Sequence, residues 1–260
     1  MSFDTTSKAP KAFLIDMDGV LIKGESSIQG ASEFISRLYD KTIPFLLFTN
    51  NSKYSAESHS TRLSNLNLNI KAKNIFTSGM AVAQFLKNQK PDGTAYVIGE
   101  SGLFTPLQQN GYKLSKTDPD YVVLGELDTY DFKAICEGVE LIRNGAIFIA
   151  TNPDEVVPGK YGIEPGCGAV AAMIAKATGK NPYIVGKPNP LMMRYALVTL
   201  GARAADTAII GDRMDTDVIA GLENGMITYL VLSGVTTEQD IAKFPYRPSG
   251  VFESVAKIFL

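Results

Sequence analysis

Histidine is almost missing from this chain. His59, in the polar stretch SAESHSTRL, is the only one in 260 residues. A histidine zinc site and a histidine general base are thereby disfavoured, so any chemistry falls to carboxylates, hydroxyls, lysines and a bound metal. The segment around His59 reads as an exposed helix. Cysteine is nearly as scarce. Cys136 and Cys167 lie in apolar or glycine-rich surroundings, with no CxxC and no Cys/His cluster. That pattern predicts two buried free thiols in a reducing compartment rather than a disulfide. An excess of charge is also lacking: 25 Lys and Arg stand against 27 Asp and Glu, a net charge of -2. No basic surface is expected, so neither nucleic acid nor a membrane is an expected partner. No apolar run approaches the ~18 residues of a membrane span. The first eleven residues, MSFDTTSKAPK, are polar and lack the apolar stretch of a signal peptide. The expected location is cytoplasmic.

What is present is ordinary in amount and informative in order. With 45% hydrophobic and 20% charged residues, the composition suits a soluble globular protein with a sizeable core. Residues 12–18, AFLIDMD, form a continuous apolar run ending in carboxylates, as expected of a strand buried on both faces of a parallel sheet. Residues 28–40 carry Ile28, Ala31, Phe34, Ile35 and Leu38 at helical spacing. IPFLLFTNN follows as a second buried strand ending at Thr49, then SAESHSTRLSNL as a helix. The middle is a different block. AYVIGE and YVVLGE resemble each other as strands, DFKAICEGVELIRNG reads as a helix and AIFIATNPD as a strand. GAVAAMIAKATG reads as a helix capped by Gly179. Beyond it, YIVGKP, TAIIGDRMDTD and MITYLVLSG read as strands of the outer sheet, PLMMRYALVTLG as a helix, and SVAKIFL as a closing helix.

The alternation predicts an α/β fold: a doubly wound parallel sheet with a separate α/β domain inserted into it. The expected boundaries are core 1–78, inserted domain 79–182 and core 183–260. The YVVLGE and AIFIATN strands are a candidate sheet edge for a homo-oligomer.

Four of the expected core strands end in reactive residues, and ligands of open α/β sheets bind beyond the carboxyl ends of the strands. Asp16 and Asp18 are two apart, so on an extended strand both face one way, roughly 6.6 Å apart along the chain, and Gly19 allows a sharp departure. Either a cation pairs with them or the strand ends in a solvated turn. Thr49, Asn50 and Asn51 offer a hydroxyl, two amides and backbone N–H groups to phosphate oxygens, or simply cap a helix. Lys187, just past a buried strand and held by Pro188, can neutralise a phosphate or an aspartate, or be a surface lysine. Asp212, Asp215 and Asp217 crowd the loop GDRMDTD, as a hard-cation site for Mg²⁺ would, or as a solvated acidic turn.

In this order the four segments resemble the haloacid dehalogenase superfamily. DMDGV matches its first motif, FTN its second, Lys187 before proline its third, and GDRMDTD its fourth. TNN, TNPDEVVP and EPGCGAV make the chain most similar to the NagD-like, p-nitrophenyl phosphatase branch, with its class IIA cap. The resemblance implies a Rossmann-like, doubly wound parallel-sheet core with an inserted α/β cap domain, and a Mg²⁺-dependent hydrolase of a small phosphorylated metabolite. Asp16 is then the nucleophile that forms an aspartyl-phosphate, and Asp18 the general acid and base. Mg²⁺ is held by Asp16, the backbone carbonyl of Asp18 and Asp212, with Asp217 behind them. Gly19, Thr49, Asn50, Asn51 and Lys187 bind the phosphoryl group. Cys167 is not a nucleophile in this scheme. Rival readings are a phosphotransferase or mutase that uses the same aspartyl-phosphate, a phospho-accepting receiver, and a non-catalytic phosphometabolite-binding protein. A receiver is too short and lacks such an insertion. A silent binder is expected to have lost Asp16 or Asp18, and both are present.

Overall fold

The computed structural model describes residues 9–159 and 162–260. Eight residues of the polar amino-terminal segment therefore lie outside the described residues. Along the chain, β1 (Ala12–Ile15) leads into a small hairpin, β2 (Ile22–Lys23) and β3 (Ser26–Ser27), then α1 (Ala31–Asp40), β4 (Phe45–Thr49), α2 (Ala56–Ser64) and β5 (Ile75–Thr77). The middle runs through α3 (Ser78–Gln89), β6 (Thr94–Ile98), α4 (Ser101–Gln109), β7 (Lys113–Leu114), β8 (Tyr121–Leu124), α5 (Phe132–Arg143) and β9 (Ile147–Ala150). It continues with β10 (Val156–Gly159), β11 (Gly162–Pro165), α6 (Cys167–Thr178) and β12 (Tyr183–Ile184). The last part holds α7 (Pro190–Leu200), β13 (Thr207–Gly211), α8 (Ile219–Glu223), β14 (Ile227–Val231), α9 (Glu238–Ile241) and β15 (Gly250–Phe252). The chain divides into two compact units. One gathers the residues up to Thr49, Glu57–Phe76 and Met192–Leu260, the other Asn50–Ala56 and Thr77–Leu191.

The first unit is built on a six-stranded sheet in the order β15-β14-β13-β1-β4-β5. β1 pairs in parallel with both β13 and β4, β13 with β14, and β14 with β15. A central strand of such a sheet meets packed side chains on both faces, which explains the unbroken apolar run of AFLI, all four residues of which are buried. Helix α1 buries Ala31, Phe34, Ile35 and Leu38, the expected stripe. It begins at Ala31, so Ile28 precedes it: Gly30, in the left-handed region at φ 83°, makes the turn into the helix.

The second unit has its own five-stranded parallel sheet, β12-β9-β8-β6-β7. AYVIGE and YVVLGE are neighbouring strands here, with Ile98 opposite Leu124. Helices α5 and α6 pack on this sheet through Ile135, Ile142, Cys167, Val170 and Ile174, and Gly179 caps α6 at φ 71° as expected. The architecture is α/β with two parallel sheets, the first Rossmann-like.

Several expectations need correction. YIVGKP does not join the core sheet. Tyr183 and Ile184 pair with Ile149 and Ala150 of β9, and the Val185 and Gly186 amides extend that pairing to Ala150 and Thr151. For the same reason β8 and β9 are not the edge of the second sheet; β12 and β7 are. SVAKIFL closes with a single 3₁₀ turn, Val255–Lys257, too short to sustain an α-helix. His59 is fully buried, because it shares one face of α2 with Leu63 four residues on. Cys136 is exposed, since the buried face of α5 is carried by Ile135, Gly138 and Ile142.

Candidate active site

The register of the first sheet brings its reactive strand ends together. Ile15 pairs with Ile210 of β13 and with Leu47 of β4. Asp16 therefore emerges beside Gly211, one residue before Asp212, and Thr49 ends the strand on its other side. The Asp16 amide still donates to the Ile210 carbonyl at 2.9 Å, so the sheet holds its backbone. The strand stops there. The Met17 carbonyl accepts from the amides of Leu21 at 2.9 Å and Ile22 at 3.1 Å, and Gly19 turns the chain at φ +78°. Asp16 and Asp18 thus do not share the face of one extended strand. Asp16 is buried and Asp18 is exposed. A tight turn, in which the Met17 carbonyl also accepts from the Val20 amide at 3.4 Å, has replaced the extended geometry.

Asp16, Asp212 and Asp217 are all buried, and each offers a carboxylate oxygen such that the three lie within 4.8 Å of one another. Among the described residues this is the only acidic, histidine or cysteine cluster able to hold a metal. Three ionised carboxylates at this separation repel, and burial makes the repulsion costlier. A cation removes the penalty, and an all-oxygen donor set suits a hard one. The residues present fit a metal site.

The loop GDRMDTD sorts its own acids. Residues Met214–Val218 form one π-helical turn, a local irregularity common at functional sites. It turns Asp217 inward, where Oδ2 accepts from the Arg213 amide at 3.2 Å and from Thr216 Oγ1 at 3.4 Å. Asp215 is left outside, bound by Arg213 Nε at 3.0 Å and Nη2 at 2.9 Å. Burial works to raise the Asp215 pKa, but the Arg213 hydrogen bonds and charge prevail and lower it. A β-carbon on Gly211 would sit 2.1 Å from Asp217 Cβ, so only glycine leaves room for that side chain.

Asp212 is held by a loop that no sequence motif marked. The Val235 amide donates to Asp212 Oδ2 at 2.7 Å, and the Thr236 amide to the Asp212 carbonyl at 3.1 Å. Ser233 Oγ donates to the Gly19 carbonyl at 2.7 Å, tying the same loop to the turn after β1. β-Carbons on Gly19 and Gly234 would fall 2.3 and 1.9 Å from Asp212 Oδ2. The Ser-Gly pair at the end of MITYLVLSG was the available signal, since glycine after a strand permits close approach of backbone to a site.

Lys187, Asn50 and Asn51 belong to the second unit and form a group there. Lys187 is 2% exposed. Its amide donates to Asn50 Oδ1 at 2.8 Å and its carbonyl accepts from Asn50 Nδ2 at 3.1 Å. Asn51 Oδ1 accepts from the Lys53 amide at 3.1 Å, an Asx turn. Thr151 and Asn152 are fully buried. Thr151 Oγ1 meets Ser52 Oγ at 3.0 Å, and Asn152 Nδ2 donates to the Asn50 carbonyl and to Glu126 Oε1, both at 3.0 Å. Cys167 is buried against Thr151 and the Leu124 carbonyl, and burial pushes its thiol up to about 12. A thiol that stays protonated at neutral pH is no nucleophile.

Known proteins resemble this chain in sequence and fold. Residues 13–113 match the family model described as haloacid dehalogenase-like hydrolase, and residues 184–258 one described as HAD-hydrolase-like. The dihydroxyacetone phosphatase of Corynebacterium glutamicum (strain R) is 49% identical over 95% of this chain and 90% of its own. The ribonucleotide monophosphatase NagD of Escherichia coli (strain K12) is 38% identical over 95% and 98% of the two chains. The solved structure of NagD from E. coli K-12 superposes with a TM-score of 0.91 over 97% of this chain and 99% of that one, at 37% identity. The 4-nitrophenylphosphatase of Thermotoga maritima does so with 0.90 over 95% of each, at 32% identity. The chain belongs to the haloacid dehalogenase superfamily, in its NagD-like, p-nitrophenyl phosphatase branch, and is a phosphomonoester hydrolase.

Proposed function

We propose that this phosphatase hydrolyses a small phosphorylated metabolite with Mg²⁺ bound at Asp16, Asp212 and Asp217, through a phosphoryl group carried on Asp16. The observation that carries the reading is the buried aspartate cluster at the carboxyl edge of the first sheet. When bound, Mg²⁺ supplies positive charge that offsets the repulsion between an anionic nucleophile and an anionic ester. A carboxylate oxygen of Asp16 attacks phosphorus, a P–O bond to Asp16 forms, and the ester P–O bond breaks. Asp18 gives its proton to the departing alkoxide. Asp18 then takes a proton from water, whose oxygen attacks phosphorus, and the bond to Asp16 breaks to leave inorganic phosphate. The two aspartates suit these roles because they differ in environment: Asp16 is buried in the acidic cluster, whereas exposed Asp18 can exchange protons with solvent. Thr49 and Lys187 supply donors to the remaining phosphoryl oxygens, and the Gly19 turn leaves room for the group.

The substrate class follows the relatives' names, which cover dihydroxyacetone phosphatase, ribonucleotide monophosphatase and acid sugar phosphatase. A small monophosphate, with a three-carbon or sugar leaving group or a nucleoside one, fits all three. The test is phosphate release from p-nitrophenyl phosphate with and without Mg²⁺, for wild type and Asp16→Asn, followed by a panel of such monophosphates. Magnesium-dependent turnover that disappears in Asp16→Asn supports the reading. A folded wild type that releases no phosphate from any of them overturns it, and a phosphorylated acceptor in place of free phosphate marks a transferase.

A further inference from the structure

We propose that Asn50 is a positioning residue that acts through Lys187, not a substrate contact; this rests on the role given to Lys187 above. Lys187 leaves β12 as if the strand continued. The amides of Val185 and Gly186 donate to Ala150 at 3.1 Å and Thr151 at 2.8 Å. At the next residue the ladder changes partner. The Lys187 amide donates to Asn50 Oδ1 at 2.8 Å, and its carbonyl accepts from Asn50 Nδ2 at 3.1 Å. A backbone amide only donates and a carbonyl only accepts, so the carboxamide is fixed in one orientation. An ionised carboxylate or an aliphatic side chain of similar length lacks the donor, and a hydroxyl has only one atom for both bonds, whereas the carboxamide offers a separate donor and acceptor.

Asn50 is in turn anchored. Its carbonyl accepts from Asn152 Nδ2 at 3.0 Å and from Ser78 Oγ, and Nδ2 also reaches Asp154 Oδ2 at 3.2 Å. Gly186 shows how tightly the two segments meet. A β-carbon there would lie 2.3 Å from the Thr151 carbonyl oxygen and 2.7 Å from Asn50 Oδ1. Both functional ends of the Asn50 side chain are therefore engaged inside the second unit, while its backbone is joined to Thr49 at the end of β4. A long, flexible lysine loses rotamer entropy when it must hold one place. Fixing its backbone at both sides lowers what remains to be ordered when an anion arrives.

The experiment is a double-mutant cycle on the purified full chain with p-nitrophenyl phosphate and Mg²⁺: wild type, Asn50→Ala, Lys187→Ala and the double variant. Asn50→Ala is expected to lower kcat/KM about 10- to 100-fold, as misplacement of a catalytic group does, yet less than about twofold in the Lys187→Ala background, since a residue acting through another has nothing left to act on. The same cycle with Asn50→Asp, which keeps the acceptor and loses the donor, serves if Asn50→Ala does not fold. Equal factors in both backgrounds, or full activity of Asn50→Ala, overturn the proposal and leave the phosphatase reading intact. Full activity of Lys187→Ala overturns the role given to Lys187 and this proposal with it.

Discussion

The amide of Val235 donates to Asp212 Oδ2 at 2.7 Å, and the Gly234 α-carbon lies so close that a β-carbon there would stand 1.9 Å from the same oxygen. An aspartate beside two other buried carboxylates is thus aimed by a loop after the next strand, β14. Gly234→Ala is expected to push Asp212 off its position and raise the Mg²⁺ concentration for half-maximal activity about 10- to 100-fold, the range seen when groups that orient metal ligands are lost. A magnesium titration of turnover checks it, and an unchanged midpoint would show that Asp212 is placed by other means.

Metal removal should expose the repulsion in the cluster. Asp16, Asp212 and Asp217 share a space of 4.8 Å, so without a bound cation three buried carboxylates face one another at a distance where like charges repel. Wild type is expected to melt at a higher temperature as Mg²⁺ is added, as any ligand of the folded state requires. Asn at position 16 removes one charge. Asp16→Asn should therefore melt above wild type in chelator, gain less from Mg²⁺, and have no turnover. Thermal melts in chelator and in Mg²⁺ decide this; a wild type whose melting ignores the metal contradicts it.

The acids of the π-helical turn should separate cleanly by substitution. Asp217→Asn removes an inward carboxylate and should cost at least about tenfold in magnesium affinity. Asp215→Asn removes only the exposed pair with Arg213, and exposed pairs contribute about 0–1 kcal/mol. Its activity and magnesium midpoint should stay within about twofold of wild type. Side-by-side magnesium titrations test the pair, and equal effects from both would mean that the turn does not sort them.

The two thiols should differ in reactivity and in their coupling to pH. Cys136 is exposed and Cys167 buried, so iodoacetamide at pH 8 should label one cysteine in the native protein and two after denaturation. Burial raises the Cys167 thiol to about 12, above its value of about 8.5 in an unfolded chain. Its contribution is complete below about 8.5 and is lost as pH climbs from there toward 12, because only the unfolded chain readily gives up the proton. Denaturant unfolding of wild type should weaken between pH 8 and pH 10 by more than that of Cys167→Ala. Identical pH dependence in the two proteins would refute the assignment.

The residues that could be read without a structure are those whose environment is local. A strand buried on both faces needs an unbroken apolar run, so AFLI and FLLFT announced themselves, and with them the carboxylate and hydroxyl at their ends. The helix faces of α1 and α6 follow from spacing alone. Misreadings arose wherever a partner distant in sequence decided the outcome. YIVG looks like any buried strand, and nothing within it names the sheet that it joins. SAESHSTRL is polar in composition, yet His59 and Leu63 fall on the face that packs. Cys136 sits in an apolar stretch, yet one step around the helix from its buried side.

Sequence by itself determined the buried strands β1 and β4 and the amphipathic helix α1, the acidic and hydroxyl strand ends, and the family that these motifs imply, because each rests on covalent neighbours and short-range periodicity. Tertiary structure decided the rest. It selected which two acids of GDRMDTD turn in with Asp16, since the π-helical turn and the space above Gly211 exist only when β13 is packed. It set the Ser233–Val235 loop against Asp212 and gave the backbone of Lys187 to the side chain of Asn50, 137 residues away. Hydrogen bonds of that span are fixed by how sheets pair, and pairing is a property of the folded chain.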